Sequence, residues 1–201
     1  MRMTVLDRVL LLLAGLLAAY QIAIGIEGLA SLAITAYTVA FGVLLVASIL
    51  LIILGFDVLD SPIVVIVSTA IPLGMSLGLV WEFLPAYRFA YLIFALLGFA
   101  AVLVTRLTPI KNKLPVFTLA VVHGIAGLTI TLLPIVRALT GRSLLGFALV
   151  GVGGALIGLG GLLLSFLKAG RPLLSRATIL KVLPGLLLLT TAAFVAGFKF
   201  G

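Results

Sequence analysis

Long runs of Leu, Ile, Val, Ala, Phe and Gly alternate with short polar stretches that hold most of the charge. The runs divide the chain into seven segments, Val9–Ile26, Leu32–Gly55, Pro62–Trp81, Phe89–Thr105, Pro115–Val136, Leu144–Leu167 and Ala177–Phe198. Each is close to the ~20 apolar residues that cross about 30 Å of hydrocarbon as a helix. Backbone N–H and C=O groups in lipid must be satisfied within the segment, so helices are expected, and alternating strands of barrel type are absent from the sequence. The expected fold is therefore all-α, a polytopic integral membrane bundle of seven transmembrane helices forming a single domain over residues 1–201. Ser61-Pro62 supports one start, with a capping hydroxyl ahead of a proline at the first helical position. Leu114-Pro115, Arg142-Ser143 and Ser175 give weaker start signals. Arg2 and Arg8 ahead of Leu10–Leu17 resemble a signal peptide. The apolar run continues through Ile22–Ile26 with no clean cleavage site, so a retained first span is expected.

Val9, Pro62 and Pro115 open the odd-numbered spans at a spacing of 53 residues, and Phe83-Leu84-Pro85 with Arg88 echoes Leu132-Leu133-Pro134 with Arg137. One reading is a parallel repeat of three hairpins (9–56, 62–106, 115–167) plus a final helix, 177–198. The other is chance similarity among Leu-, Ala-, Gly- and Val-rich helices.

Composition agrees with the pattern: 64% hydrophobic and 9% charged residues, with a mean hydropathy of +1.48, against about 45–50% and about 25% for a soluble domain. Thirteen Lys and Arg against five Asp and Glu leave a formal charge of +8. These cations sit at span ends, not in a patch with interleaved aromatics, so no nucleic-acid partner is expected. They suit the anionic headgroups of the lipid bilayer and topogenic signalling. Counting alternate loops puts Arg2, Arg8, Arg106, Lys111, Lys113, Lys168, Arg171, Arg176 and Lys181 on one side and Arg88, Arg137, Arg142 and Lys199 on the other, nine against four. That bias predicts the N-terminus in the cytoplasm and the C-terminus outside, in the cell membrane. Trp81, Phe83 and Tyr87 would then mark the outer interface. The absence of cysteine excludes disulfides and thiolate metal sites.

Few residues remain that could carry chemistry. Gly151, Gly154, Gly158 and Gly161 lie at spacings of three, four and three in the sixth span, on one helical face. Close backbone approach drives helix association in lipid, so this face is expected to pack against an internal helix or another subunit. Ala70, Gly74 and Gly78, and Ala120, Gly124 and Gly127, give shorter faces of the same kind. Pro72 falls mid-span, where it removes a helical hydrogen bond, and a kink satisfied by Ser68 or Thr69 is expected.

His123 is the only histidine and the only ionisable group well inside a span, and such groups are costly in lipid. An inter-helical hydrogen bond is the expected role. Contact with a small molecule or proton, in a polar core with Ser76 and Thr69, is the functional alternative. No cofactor or metal is expected; a haem on His123, with Met75 or a second copy's histidine opposite, is the remaining option.

Asp57 and Asp60 form an Asp-x-x-Asp pair, but pyrophosphate–Mg²⁺ chemistry needs further carboxylates that the chain lacks. Lys199 stands at the chain end without an acidic counter-ion in any span, which argues against a retinal Schiff base. No Gly-x-Ser-x-Gly or His-Glu-x-x-His motif occurs, so no enzyme activity is expected. With no midplane Asp, Glu, Lys or Arg, ion-coupled pumping is disfavoured. The expectation is a non-catalytic accessory or scaffold subunit of a membrane complex, with a protein partner or a homo-oligomer. The alternative is a passive channel or carrier for a small neutral or lipid-like solute.

Overall fold

The computed structural model describes residues 3–110, 112–168 and 173–201. Arg2, Lys111 and Arg171 of the basic set lie outside the described residues. Among those described, seven helices are long and apolar enough to cross a membrane. They are α1 (Val5–Ile24), α2 (Ser31–Leu54), α3 (Pro62–Phe83), α4 (Arg88–Leu107), α5 (Leu114–Leu139), α6 (Ala148–Lys168) and α7 (Arg176–Lys199). Short 3-10 turns at Phe56–Asp60, Pro85–Tyr87 and Leu145–Phe147 precede α3, α4 and α6.

Local chemistry sets the boundaries. α1 starts four residues before the apolar run because Thr4 and Asp7 form a capping box: Thr4 Oγ1 accepts from Asp7 N at 3.2 Å, and Asp7 Oδ2 accepts from Thr4 N at 2.8 Å. Two orphan donors are satisfied reciprocally. Gly25 and Gly55, with φ of 67° and 73°, end α1 and α2 in a conformation that side chains with a Cβ rarely adopt. Pro62 occupies the first turn of α3, but the Ser61 hydroxyl makes no capping bond. Ser175 does cap α7, accepting from Thr178 N at 3.1 Å. α3 is continuous α-helix through Pro72.

In packing order the helices form a closed ring. α1 lies against α2, α2 against α3, α3 against α5, α5 against α6, α6 against α7, and α7 against α1. α4 is seated on α3 and α5 through a narrow buried stripe of Ala95, Gly98, Val102 and Thr105. Burial is greatest in α3, with 56% of its best apolar window enclosed, and least in α4 and α5, with 22% each.

One end of the ring is filled by aromatic side chains. Tyr37 and Phe198 have centroids 4.7 Å apart, Phe41 meets Phe194 at 6.4 Å and Phe198 at 6.2 Å, and Phe147 meets Phe83 at 5.2 Å and Phe198 at 6.3 Å. α2 and α7 are not neighbours in the ring, so the contacts of Phe41 with Phe194 and Phe198 are made across its interior. Toward the other end, Leu11, Leu51, Phe56, Leu180 and Leu183 close the space between α1, α2 and α7.

Candidate functional site

Two of the buried hydroxyls, those of Thr69 and Ser76, bond their own helix. Thr69 is fully buried and its hydroxyl donates to Val65 O at 2.7 Å. Ser76, equally buried, donates to Pro72 O at 2.6 Å. Such back-bonding to the preceding turn is the low-cost way to hold a hydroxyl in an apolar span. Ser76 also lies beside the Tyr91 hydroxyl, which donates to Thr129 Oγ1 at 3.2 Å. The structure thus joins Ser76, Tyr91 and Thr129 into a polar seam between α3, α4 and α5.

His123 stands apart from that seam. It is half-buried, and its Nδ1 lies 3.2 Å from the Leu119 carbonyl, one turn back on α5. With the Nδ1 proton given to that carbonyl, Nε2 is left as an acceptor. Among the described residues no hydrogen bond joins the imidazole to Ser76 or Thr69. Its charged neighbour is Arg106, at the last turn of α4.

The four glycines that share one face of α6, Gly151, Gly154, Gly158 and Gly161, meet two kinds of surroundings. A Cβ added at Gly151 would run into Thr131 O and Ile135, and one at Gly154 into Ile130, all on α5. A Cβ at Gly158 or Gly161 would meet no atom within 4 Å. Gly153 lies against Phe194 and Gly160 against Leu186, both on α7. In α3, Gly78 has the Tyr37 ring over it and Gly74 approaches Ala36 O.

Three polar groupings went unread in the sequence. Glu82 Oε2 accepts from Ala30 N at 3.1 Å, so the end of α3 caps the start of α2 across 52 residues. α2 has no capping side chain of its own, and that gap beside an acidic span end was the only available signal. Nearby, Gln21 and Tyr37 line a cavity of about 10 Å³ between α1 and α2. Gln21 Nε2 donates to Gly25 O at 2.8 Å, but Gln21 Oε1 and Tyr37 Oη are buried with no hydrogen-bond partner among the described residues. The space suits a single water. At the opposite end, an open cleft of about 450 Å³ lies between the last turn of α4 and the starts of α3 and α5, with Asp60, Thr105 and Arg106 among its walls.

No protein-family model, curated protein or solved structure matches this chain.

Proposed function

We propose that this chain is a non-catalytic accessory or scaffold subunit of a membrane complex. In this reading it sits in the cell membrane with its N-terminus in the cytoplasm and its C-terminus outside, following the nine-to-four bias of Lys and Arg. The observation that carries the reading is the aromatic cluster of Tyr37, Phe41, Phe147, Phe194 and Phe198 across the ring. A conduit needs a wet path through the bundle, whereas interlocked rings tie α2, α7 and the turn before α6 together across the ring interior, as a structural subunit requires. The hydroxyls of Thr69 and Ser76, which bond their own helix, and an imidazole that does the same, add support.

Purification in mild detergent tests the reading. The chain is expected to leave the membrane in a fixed ratio with another membrane protein, and recovery only as a lone, stable species would sink the idea. A passive carrier for a lipid-like solute is the second reading, favoured by the open cleft beside Arg106. Solute movement in proteoliposomes that His123→Ala or Pro72→Ala reduces would put that reading first.

A further inference from the structure

The cleft at the starts of α3 and α5 combines features that together select an anion. Arg106 is a cation of its wall, unpaired among the described residues. The Nε of this side chain is fully buried without a hydrogen-bond partner, and no hydrogen bond from the guanidinium to a described residue occurs. The one carboxylate in the wall, Asp60, is already bound to Arg176 at 2.9 Å. An arginine in a last helical turn can simply answer the α4 dipole, and then it would donate to the final carbonyls. Arg106 does not. A guanidinium with no acceptor among the described residues keeps its remaining N–H groups for an anionic oxygen that enters the cleft.

The walls act in the same direction. Pro62 and Pro115, in the first turns of α3 and α5, both line the cleft, so the positive ends of two helix dipoles converge on it. Its place at the ends of apolar spans is the depth of lipid headgroups. Next to the prolines, Ile63 and Val116 are exposed, as is Leu107 beyond Arg106. They offer acyl chains a surface beside the charged pocket. One unpaired guanidinium matches one negative charge.

The geometry points to a binding site for a monoanionic phosphodiester lipid headgroup in the cleft between α3, α4 and α5, with Arg106 as its phosphate ligand. Arginine is suited to this task because its planar fork can hold two phosphate oxygens at once. The site stands independently of whether the subunit or the carrier reading of the whole chain holds.

The test is lipid binding to the full chain in detergent, followed by native mass spectrometry and thermal unfolding. The probes are phosphatidylglycerol, phosphatidylcholine and inorganic phosphate. Phosphatidylglycerol is expected to bind and raise the melting temperature, with little effect from the other two. Arg106→Gln should weaken it about tenfold, the scale of one charge-assisted hydrogen bond. Arg142→Gln, at the opposite end of the bundle, should leave it unchanged. Should Arg106→Gln not fold, Asp60→Asn decides: it removes a negative charge from the wall and must tighten binding. Equal binding by Arg106→Gln, no gain in Asp60→Asn, or an equal effect of phosphatidylcholine would overturn the site. Stabilisation by inorganic phosphate alone would overturn the lipid as its ligand.

Discussion

Tyr37 carries a buried hydroxyl with no hydrogen-bond partner among the described residues, and its ring lies over Gly78, where a Cβ would collide with it. Leaving such a hydroxyl unsatisfied costs about 1–3 kcal/mol, while the ring itself is held by Phe198. Tyr37→Phe is therefore expected to be neutral or to stabilise the protein by up to about 1 kcal/mol in thermal unfolding. A clear loss would mean that the hydroxyl is satisfied by water in the small cavity it shares with Gln21. Glu82 works in the opposite sense, since its carboxylate accepts from the backbone N–H of Ala30 at the N-cap of α2. Glu82→Ala should cost about 1 kcal/mol, as the loss of an N-cap usually does. Hydrogen exchange at the start of α2 would report the effect, and unchanged protection there would refute the cap. Neither role was legible from residue type. Nothing beside Tyr37 in the sequence sets its hydroxyl apart, and the partner of Glu82 lies 52 positions away.

Among elements, α6 shows how far periodicity carries and where it stops. Spacings of three and four put Gly151, Gly154, Gly158 and Gly161 on one face, and the helix reads as a packing surface from sequence. Which turns of that face are in contact depends on the crossing of α6 with α5, a property of two helices that neither segment encodes alone. Gly154→Ala is expected to destabilise by about 1–3 kcal/mol because Ile130 must move, whereas Gly158→Ala meets open space and should be tolerated. Equal effects of the two substitutions on the melting temperature in detergent would contradict this geometry. Helix starts divide in the same way. The capping box of Thr4 and Asp7 is local and could have been read from Thr-x-x-Asp, yet the apolar run drew the boundary to Val9. Ser61 and Ser175 look alike in sequence, but only Ser175 bonds its helix.

At the scale of the molecule, the ring of α1, α2, α3, α5, α6 and α7 is held across its interior by aromatic contacts between helices that are not neighbours. Phe194→Ala removes a fully buried ring that meets Phe41 and covers Gly153. It should cost about 3–5 kcal/mol, and a loss under 1 kcal/mol would show that the cluster does not hold the ring. The sequence by itself determined that seven helices would form, where each would begin and end to within a few residues, and that little ionisable chemistry lies within them. These properties follow from hydropathy and backbone satisfaction, which act along one segment at a time. Only the tertiary structure decided the rest: that α4 stands outside the ring, that Ser76 joins Tyr91 and Thr129 while His123 bonds its own helix, and that Arg106 faces a cleft. In an apolar solvent every span looks alike to its surroundings, so neighbours are chosen by the fit of small residues and rings between helices, and that fit does not exist until the helices meet.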